Sequence, residues 1–264
     1  EIGTSTDPSA LDNERPAHRV QVPAFRIDTV PVTNGRYLEF IADGGYDRPP
    51  ELWSEAGWEH RVRAGLEAPQ FWTCEHDGTW WSRRFGGVTV PVQPDEPVVH
   101  VCFHEADATR GGPVRGCPPK SSGRPLRGGI RASSAAPDTP GGGDTDPGPE
   151  HANLGQRHLG GPAVVGAYPA GASPLGVQQL IGDVWEWTSS GFEPYPGFRA
   201  FPYREYSEVF FGGDYRVLRG GSFGTDPVAC RGTFRNWDHP IRRQIFSGFR
   251  CARDIPVPPD VADV

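Results

Sequence analysis

Residues 182–190 read GDVWEWTSS, residues 215–223 read YRVLRGGSF, and residues 234–254 read FRNWDHPIRRQIFSGFRCARD. Aromatics, arginines, glycines and single acids alternate in these stretches at short range. A core made only for burial relies on Leu, Ile and Val. A pocket for a small polar or zwitterionic ligand mixes aromatic walls with a few converging polar groups. Asn236, Trp237 and Asp238, trailed by Arg242 and Arg243, gather an amide, an indole, a carboxylate and two guanidiniums in one short run. Arginine pairs with a carboxylate, an acid with an ammonium, and an aromatic face with a methylated cation. The plainer reading of Asp238 and Arg242 is an i, i+4 ion pair that fixes a loop.

Just upstream, the loop 194–206 carries Tyr195, Tyr203 and Tyr206, each open to a packing role or a proton-donor role. Trp185, Glu186 and Trp187 read as structural, with two indoles in the core and a carboxylate bonding backbone or an arginine. Arg219-Gly220-Gly221-Ser222 reads as a tight backbone passage that glycine permits, with Arg219 pairing an acid. Earlier in the chain, the alternation of Arg19 to Ile27 predicts a strand. Thr33 or Asn34 predicts the cap of a helix through Tyr37, Phe40 and Ile41. Asp77-Gly78 between aromatic runs predicts a hairpin. PVVHVCF at 97–103 predicts a buried strand, HEADA at 104–108 the start of a helix, and AVVGAYP at 163–169 another strand.

The composition narrows the function classes. The 264 residues carry a net charge of −7, which argues against nucleic acid or an anionic membrane as the main partner. No run approaches the roughly 20 apolar residues that span a bilayer. Gly 35 and Pro 29 are high, so turns and irregular passages should outweigh regular elements. Five cysteines, an odd number without a C-x-x-C, make a disulfide framework unexpected and a reducing cytoplasm the expected location. The chain starts at Glu1 and has no methionine, so it reads as a fragment lacking an N-terminal part. His100 and His104 have H-x-x-x-H spacing, but on a strand and a helix start that spacing loses its meaning. His18, His60, His76, His151, His158 and His239 are scattered and predict no metal cluster.

The run 12–41 (DNERPAHRVQVPAFRIDTVPVTNGRYLEFI), GVQQLIGDVWEWTSS at 176–190, YRVLRGGSF and the ending GFRCARD together resemble the formylglycine-generating-enzyme (sulfatase-modifying factor) family. The resemblance covers most of the chain outside 109–143. It implies one domain over 1–264 with a C-type-lectin-like α+β fold and much irregular structure. Two classes within the family compete. The copper-dependent formylglycine generators need a C-x-x-x-x-C pair, and here the matching stretch runs from Cys230 to Arg235, so the second thiolate is absent. The other class, the ergothioneine sulfoxide synthases, matches closely over 194–223 and 234–254. That class uses non-haem Fe(II) and O2 to join the sulfur of γ-glutamylcysteine, or cysteine in some relatives, to hercynine (Nα-trimethylhistidine) with sulfoxidation.

The resemblance implies that Asp238 and Arg242 hold the thiol substrate and that Asn236 and Trp237 contact hercynine. It implies a tyrosine proton donor, Tyr203 or Tyr206. The iron's three histidines would come from an N-terminal DinB-like domain missing here, leaving this fragment inactive alone. A non-catalytic lectin-like binding module remains the non-enzyme alternative. A structural Ca2+, with Asp183 and Asp214 as oxygen donors, is a further expectation from relatives.

Residues 109–143 break the pattern. Gly, Pro, Arg and Ser make up 24 of the 35, and no aromatic is present. The plain reading is a flexible linker. The family carries here a stretch like W-A-G-R-R-L-P-T-E-x-E-W-E-x-A-A-R. Permitted codons for Gly116 to Arg131, read one frame displaced, give L-P-T-E-V-E-W-E-T-A-A-R-W-D-P. A local frameshift between about residues 108 and 144, as a sequencing error or a true lesion, is therefore expected.

Overall fold

Short strands and three α-helices, joined by long irregular passages, make up the described part of the chain. In the computed structural model that part is residues 1–49, 51–110 and 147–255. The architecture is α+β, as the sequence led us to expect. The stretch from 111 to 146, with most of the expected frameshift, lies outside the described residues.

Strand β1 (Phe25–Ile27) is only the second half of the run expected to be a strand. Pro23 interrupts the first half, because it has no N–H for a ladder. Helix α1 (Asn34–Ala42) begins where expected. Thr33 is its cap, its hydroxyl accepting the Arg36 N–H at 3.3 Å, and the helix buries Tyr37 and Phe40. Helix α2 (Glu55–Ala64) is capped by Ser54 and stops at Gly65, whose φ of 63° is left-handed. The hairpin forms as expected. β2 (Trp72–Cys74) pairs with β3 (Trp80–Arg83) around Asp77-Gly78, and β4 (Thr89–Pro91) adds a third strand.

The expected strand at 97–103 does not form. Val98, Val101 and Cys102 are fully buried, but His100 takes φ 65° and breaks the extended run. The backbone there still finds partners: the Val98 N–H donates to Val32 O at 2.9 Å and the Val101 N–H to Ser247 O at 3.3 Å. A short apolar run without alternation fits an irregular buried segment as well as a strand. The helix expected at HEADA is α3 (Phe103–Thr109). AVVGAYP is likewise no strand; it runs through a turn, and Val164 is half exposed.

The C-terminal third supplies a four-stranded sheet: β5 (Trp185–Gly191), β6 (Arg216–Arg219), β7 (Asn236–Asp238) and β8 (Ser247–Gly248), in the order β7-β6-β5-β8. β8 runs parallel to β5, and the other pairs are antiparallel. β9 (Ala252–Asp254) returns to pair with β1. Trp187, Leu218 and Phe249 from this region pack with Tyr37, Phe40, Trp53 and Trp72 in one core. Trp187 donates its indole N–H to Val101 O at 2.9 Å, and Glu186 pairs with Arg250, as read from the sequence. Gly220 and Gly221 make the expected close passage: a Cβ would lie 2.5 Å from Leu180 O and 2.7 Å from Cys230 Sγ respectively. Arg219 does not pair an acid as expected. It donates to the carbonyls of Gly232, Thr233 and Phe234, fixing the turn that leads into β7. Cys74, Cys102 and Cys230 are free thiols.

Helices α2 and α3 meet through His60 and His104, both buried. Burial, with the His60 ring second, brings His104 from 6.5 down to about 4. Burial lowers His60 and His100 as well. The folded chain therefore binds fewer protons than the unfolded chain below the ordinary histidine pKa, about 6.5. Stability should be full above that pH and fall as the pH drops towards about 4. Urea midpoints measured across this window should show the decline, and His104→Phe should flatten it.

Candidate functional site

β7 is the edge strand of the four-stranded sheet. Its register sets Asn236 opposite Leu218, Trp237 opposite Val217 and Asp238 opposite Arg216. Asn-Trp-Asp is thus a strand and not part of the loop that the plainer reading of Asp238 and Arg242 implies. Alternation sends Trp237 to one face and its two polar neighbours to the other. Trp237 stacks on Phe192, with ring centroids 4.2 Å apart and planes within 7°. Phe210 lies 5.6 Å away, and Tyr206 meets the indole edge-on at 6.0 Å. Tyr203 in turn sits edge-on to Tyr206 at 6.2 Å. Tyr203 is exposed, and Tyr206 half-buried. Burial first, then the charges of Asp12 and Glu14, raise the Tyr206 phenol. Tyr195, the third tyrosine considered, is taken up by packing on Arg235 and His18.

Asp238 and Arg242 lie on the same side, with Arg242 Nε 3.3 Å from Asp238 Oδ1. The same oxygen accepts the His239 N–H at 2.7 Å. Both side chains keep solvent contact, 23% exposed for Asp238 and 47% for Arg242. Three cavities among the described residues lie away from this pair. One of about 320 Å3 is bounded by Phe71, Arg83, Phe85, His100, Gln244 and Phe246. The candidate residues are therefore an open edge with a carboxylate, a guanidinium and an aromatic cluster.

What holds this edge in place was not read from the sequence. The 3₁₀ turn Asp12–Glu14 is almost completely buried although all three residues are polar. Asp12 accepts from Ser207 Oγ at 2.6 Å and from the Phe201 N–H at 3.3 Å, so it anchors the stretch that carries Tyr203 and Tyr206 on both sides. Glu14 accepts from Arg231 and Thr233 just before β7. Asn13 O accepts from Arg235 at 2.9 Å. The legible signal was a D-N-E triplet of short polar residues, which composition alone assigns to the surface. Glu105 is a second missed anchor. Fully buried, it accepts from Tyr46, from the Cys102 N–H and from Arg243, and so fixes the residue next to Arg242.

Neither metal set read from relatives fits these residues. Cys230 is buried, its thiol pushed up to about 12 by burial first and the Asp226 charge second. Arg235, in the place of a second cysteine, donates to Asn13 O and to Glu193 O and stacks on Tyr195 at 4.2 Å. Burial lowers it to about 10. A lone buried thiol, with an arginine in the sequence position of the second cysteine, is not a Cu(I) dithiolate site. Asp183 is no calcium ligand: its carboxylate accepts three N–H groups, from Asn153 and Gln179 at 2.8 Å and Ala163 at 2.7 Å. Asp214 is exposed. Among the described residues no group of three or more His, Cys, Asp or Glu could hold a metal, and no helix is long and apolar enough to cross a membrane.

The sequence model of the sulfatase-modifying factor enzyme 1-like domain matches residues 1–109 and 126–255. The hercynine oxygenase of Mycobacterium tuberculosis is 50% identical over 254 residues, covering 96% of this chain and 58% of that protein. The hercynine oxygenase of Mycolicibacterium smegmatis is 51% identical with the same coverages. The chain thus spans little more than half the length of these relatives. The formylglycine-generating enzyme of Streptomyces coelicolor is 28% identical over 92% of this chain and 82% of its own length. Among solved structures, PvdO from Pseudomonas aeruginosa superposes with a TM-score of 0.53 at 18% identity, over 96% of this chain and 90% of that one, a likeness of fold.

Proposed function

We infer function from the premise that this match supplies: the chain belongs to the sulfatase-modifying factor enzyme 1-like family. Within that family it is the substrate-binding part of a hercynine oxygenase, an oxidoreductase of ergothioneine biosynthesis in the cytoplasm. Half identity to hercynine oxygenases across nearly the whole chain carries this reading. The β7 edge supports it chemically. Asp238 suits the ammonium of γ-glutamylcysteine or cysteine, and Arg242 suits a carboxylate. Trp237, with Asn236 beside it, suits the trimethylammonium and polar groups of hercynine. Tyr203 or Tyr206 supplies a proton near the reacting sulfur.

Among the described residues no group of three or more His, Cys, Asp or Glu could hold iron, and in this reading Fe(II) is held outside them and the chain alone does not turn over. When bound, Fe(II) supplies the O2 chemistry. The residues present here bind and orient. The formylglycine-generating alternative is disfavoured by Arg235, and a calcium role by the saturated Asp183.

The test is Fe(II)-dependent O2 uptake by the product of the complete gene, with hercynine plus either thiol. Uptake should require hercynine and one thiol together. A gene product that folds, takes up iron and consumes no O2 with either pair would favour the non-catalytic binding module.

A further inference from the structure

His60, read from the sequence as scattered, and His104, set aside there as part of an H-x-x-x-H spacing with His100, pack against each other between α2 and α3 with ring centroids 5.9 Å apart and planes at 44°. Each is more than nine-tenths buried, at 8% and 9% exposure. Both ring nitrogens of His60 and Nδ1 of His104 are buried without a hydrogen-bond partner. A buried polar atom left unpaired costs about 1–3 kcal/mol, so three in one place call for an explanation. The approach depends on Gly57, one turn before His60. A Cβ there would lie 3.3 Å from both Cβ and Nδ1 of His104.

The surroundings restrict what the pair can take. Arg63, Arg243 and Glu105 act on His60; Asp107, Asp214 and Arg216 act on His104. Glu105 is already committed to Tyr46, Cys102 and Arg243. The donor set is therefore two neutral imidazole nitrogens among three arginines that three carboxylates offset. Two imidazoles supply only half of the four ligands that Zn(II) needs. Cu(I) is content with two ligands, and imidazole suits copper. Metal–nitrogen bonds of about 2 Å to two opposed imidazoles place the ring centroids about 6 Å apart, close to the spacing here.

We propose that His60 and His104 form a two-imidazole site for Cu(I), with Gly57 providing the clearance. It is separate from the Cys230–Arg235 position and from the β7 edge. Both rings are already neutral near pH 7, so binding displaces no proton.

The test uses the whole 264-residue chain with Cys74→Ser, because Cys74 is an exposed thiol that would compete. Anaerobic Cu(I) titration against a chromophoric chelator should show one tight equivalent. X-ray absorption should show two nitrogen scatterers at about 2 Å. His60→Phe and His104→Phe, each checked for folding by near-UV circular dichroism, should each abolish that equivalent, and either one alone suffices if the other does not fold. Retention of the equivalent in a folded variant, sulfur scatterers, or no uptake by the parent chain would overturn the site.

Discussion

Repairing the reading frame across residues 109–143 is expected to raise the melting temperature by roughly 10 °C, the shift that about 3–5 kcal/mol gives in a domain of this size. If the segment is frameshifted, the displaced codons would restore a helix-forming run with a tryptophan, a leucine and paired alanines, where the present run is rich in glycine and proline. The family match has its gap here: it stops at 109 and resumes at 126. Ala106, Ala108 and Thr109 at the end of α3 are buried, beside a cavity of about 60 Å3 lined by Phe103, Ala106, Trp187 and Phe249. Sequencing the gene decides first whether the codons permit the displaced reading. Differential scanning calorimetry of the repaired chain then measures the gain, and an unchanged melting temperature would reject the frameshift as a lesion of the core.

Arg250→Met should cost about 3–5 kcal/mol, the usual penalty for stripping one partner from a buried ion pair. Arg250 and Glu186 are essentially inaccessible, with Arg250 Nη2 2.6 Å from Glu186 Oε1 and Nε 2.8 Å from Oε2. The same guanidinium donates to the carbonyls of Asp28, Gln178 and Gln179. It thereby ties β5 to the chain before α1 and to the loop that precedes the sheet. Methionine fills much of the volume but leaves a carboxylate and three carbonyls unpaired. The double variant Glu186→Gln with Arg250→Met should recover part of the loss, since it removes the stranded charge. Urea unfolding measures both; a single-variant loss below about 1 kcal/mol would mean that water reaches Glu186.

Local signals in the sequence were reliable where a single residue type has a single physical job. Thr33 caps α1, Asp77-Gly78 turns a hairpin, and Gly220-Gly221 threads a gap closed to any Cβ. They failed where burial and conformation part company. Val98 to Cys102 is as apolar as a central strand, yet its backbone bonds irregularly to Val32 and Ser247. The candidate site was legible as a set of residue types, because Asn236, Trp237, Asp238 and Arg242 are close in sequence. Its support was not. Asp12, Glu14 and Glu105 act through partners far along the chain, and a buried acid looks like a surface acid until its arginine is located. The facing of His60 and His104 was illegible for the same reason.

The central claim is that the β7 edge and Arg242 cradle the two substrates. It is tested most directly by titrating γ-glutamylcysteine and hercynine separately into the product of the complete gene and its Asp238→Asn and Arg242→Ala variants. Each variant should bind the thiol at least about tenfold more weakly, the loss expected for one charge-assisted hydrogen bond, while hercynine affinity stays within about twofold. Thiol affinity unchanged in both variants would contradict the account.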